Sequence, residues 1–107
     1  MRIGFILTKT PSEESFCTFM KFIGVYIGKE DINVYLLANG VYCAKKRHMH
    51  SDLIWKLLKN CDIFAFLPDL KARGISENQL IEKIQLIENY DTIIVDMMEN
   101  MDQIISF

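Results

Sequence analysis

Apolar runs and helix-spaced apolar stripes alternate along this chain. After Arg2, residues Ile3 to Leu7 form a continuous apolar run closed by Thr8-Lys9-Thr10-Pro11, which predicts a short strand over 2–7 buried on both faces. Ser12 is read as a helix N-cap, with Glu13 and Glu14 in the first turn, where the helix dipole favours negative charge. Phe16, Phe19, Met20, Ile23, Tyr26 and Ile27 then recur on one helical face, and Gly28-Lys29 suits the end of that helix. A second strand is expected over Ile32 to Leu37, broken by Asn39-Gly40, with a helical turn over Val41 to Ala44. Lys45 to His50 reads as a basic loop. Ser51-Asp52 caps a helix carrying Leu53, Ile54, Trp55, Leu57 and Leu58 and ending near Asn60.

Ile63 to Leu67 predicts a third strand, followed by a short helix with Pro68 in its first turn and Gly74 at its end. Ser76 and Gln79 have capping-box spacing. Leu80, Ile81, Ile84 and Ile87 fit a helix, and Ile84 to Ile87 equally fits a strand; periodicity does not separate the two. Tyr90, Ile93, Ile94, Met97, Met98 and Met101 fall on one helical face, with the methionines expected to pack in the core and Glu99 and Asp102 at a solvated border. Gln103 to Phe107 ends the chain as a strand. Strands alternating with helices imply an α/β domain with a mostly parallel sheet between helical layers.

Composition narrows the class. At 107 residues the chain is one domain, 1–107, with no linker or internal repeat. Half of it is hydrophobic, which excludes a disordered chain and hints at self-association in so small a domain. Twelve basic against 14 acidic groups leave a formal charge of −2, so no basic field points to nucleic acid. No run is long and apolar enough for a signal peptide or a membrane span. Three cysteines are too few for a disulfide scaffold, so a reducing, cytoplasmic setting is expected.

Ligands of open α/β sheets bind beyond the carboxyl ends of the strands. Three segments fall there: Thr8 to Ser12, Asn39 to Cys43 and Leu67 to Gly74. No dinucleotide fingerprint, phosphate-binding lysine loop or nucleophile elbow is present, and no cofactor is expected. Cys17 and Cys61 read as packing residues. Cys43, expected within the first helical turn after Asn39-Gly40, is the one candidate for an activated thiolate, although plain packing is the commoner fate of such a residue. Cys43, His48 and His50 match no zinc spacing, so no metal site is expected. Lys45, Lys46, Arg47 and His48 form either a solvated loop or a collar attracting an anionic ligand or acidic partner.

Four segments together carry a family resemblance. They are Met1 to Thr8, Leu36 to Ala44, Ala65 to Ile75 (Ala-Phe-Leu-Pro-Asp-Leu-Lys-Ala-Arg-Gly-Ile), and the ending Asp102 to Phe107. In this order and spacing the chain resembles the DsrE/DsrF/DsrH superfamily, which includes the TusB, TusC and TusD sulfur-relay proteins and the YchN-like proteins. The resemblance implies a three-layer α/β/α sandwich with a five-stranded, mostly parallel sheet. It also implies homo-oligomers (dimer, trimer or hexamer) or mixed complexes of DsrE-, DsrF- and DsrH-like subunits, with a sulfur-carrier protein as a further partner.

One departure bears on activity. The active DsrE and TusD branch carries sulfur as a persulfide on a cysteine seven residues before the Arg of Arg-Gly. Counting back from Arg73 gives Phe66, followed by Leu67, and neither is a nucleophile. Asp69 to Gly74 is similar to the DsrH/TusB branch, whereas the long first helix and Gly40-Val41-Tyr42 are closer to DsrE and TusD. The expected function is a non-catalytic structural or binding subunit. The alternatives are a sulfurtransferase or persulfide carrier using Cys43, and a small-anion-binding module built on Asn39, Gly40, Asp69, Arg73 and Gly74.

Overall fold

The computed structural model describes residues 1–48 and 50–107; Met49, within the expected basic loop, lies outside the described residues. Five strands form one sheet: β1 (Arg2–Leu7), β2 (Asp31–Leu36), β3 (Asp62–Phe66), β4 (Gln85–Ile87) and β5 (Gln103–Ser106). Their order is β4-β3-β2-β1-β5, and every neighbouring pair is parallel. The helices are α1 (Glu14–Tyr26), α2 (Ser51–Leu57), α3 (Leu67–Ala72) and α4 (Tyr90–Val95). A 3₁₀ segment over Ala38–Ala44 follows β2, and a π-helical turn over Asp96–Asn100 continues α4.

The strand order dictates the layers. From β1 to β4 the chain steps one way across the sheet, so right-handed crossovers place α1, α2 and α3 on one side. The return to β5 runs the other way and carries α4 to the opposite side. The first side holds the main core, in which Phe16, Phe19 and Ile23 of α1, Ile54 and Leu57 of α2 and Leu70 of α3 cover Ile3, Phe5, Leu7, Val34, Leu36 and Ile63. The terminal Phe107 joins it, stacked on Phe5 at 6.3 Å and edge-on to Phe19 at 5.7 Å. On the second side Tyr35 stacks on Phe64 at 5.3 Å, and Ile93 of α4 and Ile87 complete a smaller cluster.

The three-layer α/β/α expectation holds, and the sheet is parallel throughout. The segment left open between helix and strand is β4. Three local expectations change. The α1 N-cap is Glu13, not Ser12, and the Glu13 carboxylate accepts from the Thr10 hydroxyl at 3.1 Å. Ser51 is the first residue of α2 rather than its cap. The single apolar face expected over 90–101 divides into two stripes. Ile93 and Met97 face the sheet, and Met101 packs against Gly4, where an added Cβ would sit 3.2 Å from Met101 Cγ. Tyr90, Ile94 and Met98 form an outward stripe, with Met98 80% exposed rather than in the core. An apolar stripe covering both sets is too wide for one buried helix face, and the π turn rotates the residues that follow Val95.

Candidate functional site

The strand ends bring the segments after β2 and β3 together. Just past β2 the backbone bends sharply at Ala38, whose φ of 51° is a left-handed conformation uncommon for a residue with a Cβ. The bend aims the Ala38 N–H at Asp69, in the first turn of α3, where it donates to Oδ2 at 2.7 Å. The next residue, Asn39, accepts at Oδ1 from Arg73 Nε at 3.1 Å. Arg73 Nη1 donates to the Asp69 carbonyl at 3.1 Å and lies 3.7 Å from its carboxylate. Asn39, Asp69 and Arg73 therefore form one network tying the β2 exit to α3.

The two glycines of the expected site have backbone reasons. Gly40 presses against the end of β1, where a Cβ would fall 1.9 Å from the Leu7 carbonyl oxygen, so no side chain fits. Gly74 takes φ of 69° past the end of α3. There Gly74 N–H donates to the Lys71 carbonyl at 3.1 Å and Ile75 N–H to the Leu70 carbonyl at 3.0 Å, the paired bonds of a Schellman cap. Leu70 and Ile75 are both buried, as that cap favours. Gly74 thus terminates α3 and fixes where Arg73 sits.

Phe66 ends β3, half-buried, with its ring edge-on to Tyr90 at 5.6 Å and packed on the Tyr35–Ile93 cluster. Cys43 lies in the last turn of the 3₁₀ segment, because that segment begins at Ala38 rather than at Val41. It is fully buried, donates weakly to the Lys9 carbonyl at 3.6 Å, and desolvation pushes its thiol up to about 12. The low thiol pKa expected of a first-turn position is replaced by a raised one, so the thiol stays protonated at neutral pH. Cys61 is also buried, donates to the Leu57 carbonyl at 3.0 Å, and is pushed up to about 12 by desolvation and then by Asp62. Cys17, expected to pack, is exposed on α1, one residue past buried Phe16 and so off the apolar stripe.

The two histidine rings are engaged by groups other than Cys43 Sγ. His50 stacks on Phe16 at 5.1 Å. His48 Nδ1 accepts from the His50 N–H at 3.0 Å, which makes Nε2 the donor to the Cys43 carbonyl at 2.9 Å. Accepting at Nδ1 requires the neutral ring, and burial lowers the His48 pKa, outweighing the Cys43 carbonyl, which favours the charged form. Among the described residues no group of three or more His, Cys, Asp or Glu side chains is placed to hold a metal ion. No described helix is long and apolar enough to cross a membrane.

Residues 11–103 match the family model for DsrH like proteins. The chain belongs to the DsrH-like family. That places it in the superfamily of DsrE/DsrH sulfur-relay proteins and favours the DsrH side of the mixed features in its sequence. The DsrH-like chain is 29% identical to the uncharacterized protein MJ0989 of Methanocaldococcus jannaschii, with 100% of both chains covered. It is 26% identical to the uncharacterized protein MK0008 of Methanopyrus kandleri, covering 98% of this chain and 93% of the relative. Its fold is similar to that of MTH1491 from Methanobacterium thermoautotrophicum, a protein of unknown function, with a TM-score of 0.84, 17% identity and coverage of 99% and 98%. It is also similar to the ychN protein from E. coli, with a TM-score of 0.78, 15% identity and coverage of 99% and 97%.

The sequence did not single out Ala38, whose backbone N–H anchors the network. Its position directly before Asn39-Gly40, a turn signal, was the available hint.

Proposed function

We propose that this DsrH-like chain is a non-catalytic structural or binding subunit of an oligomer related to the sulfur-relay complexes. The assembly is either a homo-oligomer or a mixed complex with DsrE- and DsrF-like subunits, and a sulfur-carrier protein is the kind of partner it meets. The observation that carries this reading is Phe66. Where the sulfur-carrying branch has a thiol, this chain packs a phenyl ring against Tyr90 and the second-side cluster. A hydrocarbon ring cannot attack a persulfide donor.

The polar residues at the strand ends support the same reading. Asp69, Asn39 and Arg73 satisfy one another and a backbone N–H, so they stabilise a shape. The Cys43 carrier is disfavoured because its thiol is buried and protonated. An assembly surface is available in the outward stripe of α4 and its π-helical continuation, where Tyr90, Ile94 and Met98 are exposed; Val95 and Ile104 are exposed as well.

The test is sulfur acceptance from a cysteine desulfurase and free cysteine, read by alkylation and intact mass. No cysteine should carry sulfur in stoichiometric amount. Cys17, the exposed thiol, is the position to watch, and Cys17→Ser is the control. Stoichiometric persulfide on any cysteine, abolished by replacing that cysteine, sinks the non-catalytic reading.

A further inference from the structure

The basic loop is fixed to a distant segment. Lys45 pairs antiparallel with Leu80, flanked by Lys46 N–H to the Gln79 carbonyl at 2.8 Å and Ile81 N–H to the Ala44 carbonyl at 2.8 Å. This ribbon brings residues 46–47 beside residues 81–83, against the outer face of α2. Between them lies an open pocket of about 360 Å³, within the size range of small-ligand sites, with Trp55 and Ile81 as its apolar wall.

Two cations line it, and a third reaches its Trp55 wall. Lys46 and Arg47 line the pocket, and Lys83 Nζ sits over the Trp55 ring, 5.9 Å from its centre. Among the described residues none of the three is in an ion pair. Asp52 and Glu82 also line the pocket, so its wall offers cations, two acceptor carboxylates and an aromatic face 43% exposed. Arg47 and Lys83 both hold left-handed backbones, with φ of 63° and 74°. Two such residues flanking one pocket store local strain that an Asn or Gly at either position would relieve.

The geometry points to a binding site for a nucleoside monophosphate on this outer face. A planar base stacks on Trp55 in the place now held by the Lys83 ammonium. The phosphate meets Lys46, Arg47 and the displaced Lys83, and base amino or ribose hydroxyl groups donate to Asp52 and Glu82. A free nucleotide fits better than a nucleic acid chain, because the charge of −2 and the adjoining carboxylates oppose a polyanion. The pocket shares no residue with the Asn39–Asp69–Arg73 network, so it stands apart from the subunit reading.

Trp55 is the chain's one tryptophan, so its fluorescence reports this pocket directly. AMP should quench it saturably at micromolar to millimolar concentration, with adenosine binding more weakly and inorganic phosphate competing without quenching. Arg47→Gly and Lys83→Gly each remove a cation and relieve a left-handed backbone. Each should weaken AMP by about tenfold while the thermal midpoint holds or rises. Lys59→Ala, a cation outside the pocket, should leave affinity within about twofold. Absence of saturable AMP binding by about 10 mM overturns the proposal. So does equal weakening by Lys59→Ala, or a ten-nucleotide RNA that binds more than about tenfold tighter than AMP.

Discussion

The two faces of the sheet are made of similar residues and are covered very differently. On the first, α1, α2 and α3 seal Ile3, Phe5, Leu7, Ile32, Val34 and Ile63 almost completely. On the second, one helix and its π-helical continuation, residues 90–100, are the only cover among the described residues. A single helix roughly 10 Å across cannot cover a five-stranded sheet roughly 19 Å wide. Phe64, Phe66 and Leu37 are left half-buried, and Tyr90, Ile94 and Met98 point outward. In the assembly proposed above, the first face stabilises the monomer and the second is the surface offered to another subunit.

Truncations should break this contrast in a graded way. Phe19→Ala on the first face should destabilise by about 3–5 kcal/mol in chemical denaturation, since its ring packs on Phe5, Phe16 and Phe107. Gly40→Ala, forced into the Leu7 carbonyl, should cost about 3 kcal/mol or more. The buried thiols give a pH signature of similar size. Cys43 and Cys61 have folded pKa values raised to about 12, above their unfolded value. Their contribution is therefore whole below pH 9 and is lost as pH rises towards 12. About 3 kcal/mol should be gone by pH 10, with less lost in Cys43→Ala.

Ile93→Ala on the second face should cost about 2–3 kcal/mol. His48 contributes in the opposite pH direction. Its folded pKa is lowered, so stability is whole above the unfolded value and falls as pH drops through it, with His48→Gln flattening that slope. The smallest effect on stability is expected of Met98→Ser, within about 0.5 kcal/mol by thermal melting, while subunit association weakens. A large loss of monomer stability in Met98→Ser would erase the distinction between the faces.

Much of the scaffold is readable in the chain because buried parallel strands are continuous apolar runs, as in Ile3 to Leu7 and Ile63 to Phe66. β4 was ambiguous because a three-residue strand at the sheet edge has too few positions to show a period. Met98 was misplaced because a π turn cannot be seen in apolar spacing. The strand-end residues were found through Asn-Gly and Arg-Gly, but their mutual bonds span 31 to 34 residues and leave no trace in local pattern. Cys43 shows the sensitivity of such readings. Starting the helical segment at Ala38 moves the thiol from the first turn to the last and buries it. The Trp55 pocket was invisible because its two halves are joined by the distant Lys45–Leu80 pairing and the bonds beside it, which leave no local pattern.

The most direct test is native mass spectrometry of the chain, alone and with DsrE- and DsrF-like subunits, after exposure to a desulfurase and cysteine. Masses at multiples of the subunit, without added sulfur on this chain, are the expected result. A chain that stays monomeric in every mixture, or that carries stoichiometric sulfur, would contradict a non-catalytic assembly subunit.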